Sequence, residues 1–74
     1  MASGPEPREV VIRDETIRLG QLLKLAGLAA SGGEARTLVQ EGDARVNGEI
    51  ELRRGRQLRR GDLVSVEGET VRVV

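Results

Sequence analysis

The segment from residue 53 to residue 60 concentrates the positive charge of the chain. It contains five arginines and no acidic residue, whereas the whole chain has twelve basic and twelve acidic residues. Like charges packed this closely repel one another unless an anion lies nearby. The planar guanidinium group binds phosphate oxygens in a bidentate way. A phosphate-rich partner is the leading interpretation of this segment, and a solvated turn is the alternative.

The charge is also sorted along the chain. Residues 36–60 contain seven basic and four acidic groups, a surplus of three positive charges. The remaining residues contain five basic and eight acidic groups, a deficit of three. The segment therefore creates a local positive field on a chain of zero net charge.

The composition restricts the chemistry that is available. The chain has no Phe, Tyr or Trp, so it lacks the rings on which single-stranded nucleic acids usually stack. A nucleic acid partner would instead be read through phosphates, sugars and shape. There is also no His or Cys, and no spacing of the other polar residues suggests a nucleophile with its base. We therefore predict neither an enzyme nor a cofactor, and neither a metal site nor a small-molecule substrate.

The length of 74 residues allows one small domain. Residues 1–8 are small, polar and interrupted by two prolines, which predicts a disordered tail before a single domain over residues 9–74. The sequence contains neither a membrane-spanning run nor the apolar centre of a signal peptide, so we expect a cytoplasmic protein.

Two helices are predicted in the first half, after a strand at 9–13 and a turn at 14–16. The first has one apolar face that Leu25 and Leu28 widen, and Gly27 ends it. That face consists of Leu19, Leu22, Leu23 and Ala26. The second runs over about 32–41, because Ser31 and Glu34 form a capping-box pattern.

The glycines at positions 32 and 33 weaken the first turn of the second helix. They form either a flexible entry loop or a bare helix N-terminus that a phosphate can approach, with Arg36 one turn further on. Glu34 argues against an anion at this place, so both interpretations stay open.

The second half has the period of β-strands. Asn47-Gly48 predicts a type I′ hairpin, and a further hairpin is predicted around Gly68. The predicted core of this half consists of Val46, Leu52, Leu58, Val64, Val66, Val71 and Val73. The fold class is therefore α+β, with two short antiparallel helices packed on a small, mostly antiparallel sheet of short strands.

Several motifs in this order resemble a known family, the S-four RNA-binding domain. They are SGGEAR at 31–36, QEG at 40–42, VNG at 46–48 and GD at 61–62. Residues 19–27 and 53–58 are further similar to the free-standing bacterial members, the YbcJ/YaaA-like group. The resemblance covers about residues 10–74 and implies the alpha-L RNA-binding motif.

The resemblance implies binding to structured RNA, ribosomal or transfer RNA, by a non-catalytic monomer. It places the RNA face at the start of the second helix and in the loop after the VNG turn. The RNA-binding residues implied or added on this basis are Lys24, Ser31, Gly32, Gly33, Arg36, Arg53, Arg54, Arg56 and Arg59. Many members have arginine where this chain has Gly32, so one typical phosphate contact is missing.

Other polar residues are expected to be structural. Asn47 and Asp62 are predicted turn residues, and Arg45 could pair across strands with Glu49 or Glu51. We assign no functional role to Arg8, Arg13, Arg18 and Arg72, which lie among acidic residues. The alternative function is a small protein–protein adaptor with a ubiquitin-like sheet, which would not depend on RNA.

Overall fold

Two short helices and seven short strands make up the computed structural model, which describes residues 7–74. In chain order they are β1 (Arg8–Val10), β2 (Thr16–Arg18), α1 (Leu19–Leu25), α2 (Gly32–Gln40), β3 (Ala44–Val46), β4 (Glu49–Ile50), β5 (Gln57–Arg59), β6 (Leu63–Val66) and β7 (Glu69–Val73). Most of the predicted tail lies outside the described residues, and Arg8 already begins β1. Neither helix is long and apolar enough to cross a membrane within the described part of the chain.

The strands form two sheets. The larger one has the order β1-β7-β6-β3-β4, and all its neighbours are antiparallel except the parallel pair β1–β7. The smaller one pairs β2 with β5 in antiparallel orientation. The predicted α+β class, with a mostly antiparallel sheet, is confirmed.

The strand β2 was not predicted, because residues 14–16 were expected to form a turn. Ile17 pairs with Leu58, and Arg18 pairs with Gln57. Three residues are too few to show a strand period, and the partner strand lies about forty residues further along the chain. This pairing fixes the arginine-rich segment beside the start of α1.

Both helices bury one face and end as the sequence predicts. Leu19, Leu22 and Leu23 are fully buried in the core, and Gly27 follows α1 with a φ of 74°. Leu25 was expected to widen this face but is 55% exposed, so that prediction is wrong. It lies in the last turn of a seven-residue helix, on a flank that no described element covers.

The capping box at α2 is confirmed with one variation. The backbone N–H of Glu34 donates to Ser31 Oγ at 3.1 Å, as expected. The carboxylate of Glu34 reaches one residue further back, and its Oε1 accepts the N–H of Ala30 at 2.7 Å. Both side chains therefore satisfy helix-end donors that would otherwise lack partners.

The hairpin between β3 and β4 has the predicted type I′ turn. Asn47 and Gly48 both have positive φ, at 52° and 88°. The side chain of Asn47 also accepts the N–H of Leu63 at 3.0 Å and donates to Asp62 Oδ1 at 3.2 Å. Asp62 in turn accepts the N–H of Arg59 at 2.8 Å. Both residues stabilise turns, as predicted.

The chain after β4 has an inverted polarity. Leu52 was predicted to be a core residue but is 61% exposed, and Ile50 is 52% exposed. Between them Glu51 is buried, at 7%. Alternate residues of an extended segment point to opposite sides, so burial of Glu51 turns both apolar neighbours outward. The other six predicted core residues of this half are buried.

Candidate nucleic-acid interface

The buried carboxylate of Glu51 organises the arginine loop, which we define as residues 53–56. Its Oε2 accepts hydrogen bonds from the backbone N–H of Arg53 at 3.0 Å and from Arg53 Nε at 3.1 Å. Its Oε1 accepts one from Arg56 Nη1 at 2.8 Å. One carboxylate therefore holds both ends of the loop.

These contacts favour the ionised form of Glu51. Hydrogen bonds from the side chains of Arg53 and then Arg56, followed by the backbone N–H of Arg53, lower the pKa of Glu51 from 4.5 to about 2. Burial of the carboxylate opposes this shift but is the weaker effect. The same ion pair raises the pKa of Arg53, which stays charged.

The arginine loop is also attached to the start of α1. The N–H of Leu19 donates to the carbonyl of Arg56 at 2.8 Å, and the N–H of Gly20 donates to the carbonyl of Arg54 at 3.0 Å. The first turn of α1 has no acidic residue, and the preceding Arg18 provides no side-chain cap. The loop carbonyls therefore satisfy donors at the helix end that no side chain satisfies.

A cleft of about 310 Å³ opens between α1, α2 and the arginine loop. We call it the basic cleft. Its lining residues are Arg18, Gly20, Gln21, Lys24, Gly32, Ala35, Arg54 and Gly55. Three of them are cationic and none is acidic. Within residues 7–74, neither Arg18, Lys24 nor Arg54 forms an ion pair.

Comparison with known proteins decides the family. The profile of the S4 domain matches residues 10–74, nearly all of the described chain. The chain belongs to the S4 domain family. The resemblance noted in the sequence is thereby confirmed, under the same family name written with a numeral.

Two curated relatives of this S4 domain are similar over most of their length. A probable ribosome maturation protein, RlbA, of Bacillus subtilis is 48% identical over 59 residues, which are 80% of this chain and 83% of RlbA. The protein YbcJ of Escherichia coli, named as an RNA-binding protein, is 38% identical over 58 residues, or 78% of this chain and 83% of YbcJ. Neither name describes an enzyme, in agreement with the prediction of a non-catalytic protein.

Two solved structures share the fold of this S4 domain. The solution structure of YbcJ, described as having an alpha-L motif involved in RNA binding, superimposes with a TM-score of 0.72 at 29% identity. It covers all of this chain and 95% of YbcJ. The 30S ribosomal protein S4e of Thermoplasma acidophilum gives a TM-score of 0.65 at 23% identity, over 84% of this chain and 33% of that protein. The second likeness concerns the fold alone.

The basic cleft of the S4 domain brings three of the predicted RNA-binding residues together. Lys24 comes from α1, Gly32 from the first turn of α2, and Arg54 from the arginine loop. The start of the second helix and the loop after the VNG turn, which are distant in sequence, therefore border one concavity. Arg36 is exposed on α2, next to the cleft-lining Ala35, but does not itself line the cleft.

The other predicted RNA-binding residues have different surroundings. Arg53 and Arg56 share Glu51, although the side chain of Arg53 remains 76% exposed. Ser31 caps α2 through its hydroxyl group, and Gly33 is exposed beside it. Arg59 is exposed on β5, opposite Thr16 of β2.

Three residues that matter at this site were missed. Arg18 was given no role because acids precede it at positions 14 and 15, yet it lines the basic cleft. Glu51 was considered only as a partner of Arg45, which instead donates to the carbonyl of Gly48 at 3.2 Å. Gly20 was not singled out as a packing position. The one available signal was the acid two residues before the arginine run.

Proposed function

We propose that this S4 domain binds structured RNA, without catalysis, through phosphate contacts in the basic cleft and along the arginine loop. The observation that carries the proposal is the meeting of three unpaired cations with the N-terminus of α2 in one cleft without an acidic lining residue. A concave surface with one sign of charge concentrates a polyanion.

The cleft offers three kinds of phosphate contact. The guanidinium groups of Arg18 and Arg54 bind phosphate oxygens in pairs, whereas Lys24 acts as a compact point charge. The N–H groups of Gly32 and Gly33 have no acceptor among residues 7–74. They lie at the N-terminus of α2, where the helix dipole favours an anion.

The glycines at the cleft leave its backbone accessible. A Cβ at Gly32 or at Gly55 would meet no heavy atom within 4 Å, so both positions face open space. Gly32 stands where many S4 domains have arginine, and Arg18 and Arg54 supply positive charge to the same cleft. The carboxylate of Glu34 accepts the N–H of Ala30 rather than occupying the cleft.

Ribosomal RNA is the first candidate partner and transfer RNA the second. The name of the relative RlbA refers to ribosome maturation, which favours the ribosome. The chain has no aromatic residue, which favours folded RNA with helical parts over a stacked single strand. On this proposal the protein works as a monomer in the cytoplasm, where both RNAs are found.

The test is a titration with folded ribosomal RNA fragments and with transfer RNA over a range of salt concentrations. About four phosphate contacts give a slope of log affinity against log salt near −4. Changing Arg18, Lys24 and Arg54 together to Gln should abolish most of this binding. The matched control changes Arg13, Arg45 and Arg72 to Gln, which removes the same charge outside the cleft. Equal losses in both triple variants would refute the cleft as the site.

An RNase-treated pull-down separates this function from the adaptor hypothesis. Partners of an RNA-binding module are lost when the RNA is digested, whereas partners of an adaptor are retained. Retention of all partners after digestion, together with a flat RNA titration at low salt, would reject the proposal.

A further inference from the structure

We propose that Glu51 is a positioning residue of the RNA site, whose carboxylate holds the arginine loop in the shape that presents Arg54 to the basic cleft. This inference rests on the proposed function. It assigns to an acidic residue a supporting role in binding a polyanion.

The hydrogen bonds of the loop carry the argument. Glu51 binds Arg53 and Arg56, the residues on either side of the turn at Arg54-Gly55. The turn is closed by the N–H of Arg56, which donates to the carbonyl of Arg53 at 3.2 Å. Arg54 is thus the one arginine of the loop without a carboxylate partner among the described residues.

The opposite side of the loop is fixed to α1. The carbonyls of Arg54 and Arg56 accept the N–H groups of Gly20 and Leu19. The backbone around Arg54 is therefore held between a buried carboxylate and a helix end. Its side chain then lies over α1, where it reaches the cleft.

The burial pattern supports a role beyond simple packing. The side chain of Glu51 is 9% exposed, whereas its neighbours Ile50 and Leu52 are mostly exposed. Burying a carboxylate is costly unless it is paired, and burying the apolar neighbours would be favourable. The chain adopts the opposite arrangement here, and what this arrangement provides is the geometry of the arginine loop.

Charge and geometry make opposite predictions for Glu51. A negative charge near a bound polyanion weakens binding, so its removal by itself should tighten the complex. If Glu51 positions Arg54, its removal should weaken the complex instead. The sign of the change therefore distinguishes the two roles.

The experiment compares Glu51→Gln with Glu49→Gln in titrations with a folded ribosomal RNA fragment. Glu49 is exposed on β4, and its carboxylate has no partner among residues 7–74, so it reports the pure charge effect. We expect Glu49→Gln to bind as tightly as the unchanged protein or slightly more tightly. Glu51→Gln should bind about tenfold more weakly, the scale expected for losing a charge-assisted contact. Equal or tighter binding by Glu51→Gln would overturn the proposal.

Glu51→Asp provides a second variant, in case Glu51→Gln does not fold. It keeps the charge but is one methylene shorter, so it cannot reach both arginines from the same backbone position. A charge role predicts unchanged affinity, whereas a positioning role predicts a loss. The amide resonances of Leu19 and Gly20 should shift in this variant, because their acceptors lie in the loop. Unchanged affinity and unchanged resonances would refute positioning.

A double-mutant cycle separates positioning from general destabilisation. Arg54→Gln should weaken RNA binding in the unchanged protein but add little in the Glu51→Gln background, where Arg54 is already displaced. Additive losses would contradict the proposal. If the unchanged protein itself does not bind RNA, or if the cleft triple variant binds normally, the proposed function fails rather than the role of Glu51.

Discussion

Gly20 lies directly beneath the side chain of Arg54. A Cβ built on Gly20 would lie 2.7 Å from Arg54 Cγ and 3.2 Å from Arg54 Cδ, closer than real Cβ contacts allow. The N–H of Gly20 meanwhile donates to the carbonyl of the same arginine. Helix α1 and the arginine loop can approach this closely because residue 20 has no side chain.

Gly20→Ala should therefore weaken RNA binding without the gain in stability that alanine usually brings to a helix. The methyl group pushes the stem of Arg54 away from the helix, so we expect about a fivefold loss of affinity, or about 1 kcal/mol. Titration with RNA and thermal unfolding measure the two effects.

Gly33→Ala is the stability control for this variant. A Cβ at Gly33 meets only Ser31 Oγ at 3.9 Å, so alanine there should raise the free energy of unfolding by about 0.5–1 kcal/mol. An equal gain in stability for Gly20→Ala, with unchanged RNA affinity, would show that the contact with Arg54 is unimportant.

Glu51 should make the stability of the domain depend on acid pH. Its pKa is lowered to about 2 in the folded protein, below the ordinary 4.5. The unfolded chain therefore binds the proton first, and the stabilisation is complete above about pH 4.5 and lost as the pH falls towards 2. Urea unfolding at pH 7 and pH 3 should show a larger loss for the unchanged protein than for Glu51→Gln. Equal losses would contradict this assignment.

The elements with local signals could be predicted from the sequence. The capping box of Ser31 and Glu34 begins α2, and the positive φ angles required at Asn47-Gly48 define the β3–β4 hairpin. In both cases the residues that cause the structure are neighbours in the chain. Their physical chemistry is fixed before any tertiary contact forms.

The arrangement of the site could be predicted only in part. The start of α2 and the arginine loop were expected at the site on the strength of the family resemblance, and the structure brings both to the basic cleft. The pairing of β2 with β5 depends on contacts distant in sequence, and so does the place of Arg18. Burial of Glu51 and exposure of Leu52 reverse the usual preference of these residue types. No local pattern predicts such a reversal.

The core and the outward-facing leucine should differ strongly in their effect on stability. Leu58 is fully buried on β5, whereas Leu52 is 61% exposed. Leu58→Ala should cost about 2–5 kcal/mol through lost burial and the cavity that remains. Leu52→Ala should change the free energy of unfolding by less than about 0.5 kcal/mol. Chemical denaturation measures both, and similar losses would place Leu52 in the core after all.

Arg18 should contribute to RNA binding although acids precede it in sequence. It lines the basic cleft with Lys24 and Arg54, and it forms no ion pair among residues 7–74. Arg18→Gln should weaken binding about uniformly across RNA sequences and reduce the magnitude of the salt slope by about 1, as for the loss of one phosphate contact.

Arg13→Gln is the matched control for this variant. Arg13 is exposed next to the same two acids but lies outside the basic cleft. It should therefore leave the salt slope nearly unchanged, since no phosphate contact is lost. If Arg13→Gln and Arg18→Gln lower the slope equally, the protein binds RNA through its general charge, and the cleft has no special part in recognition.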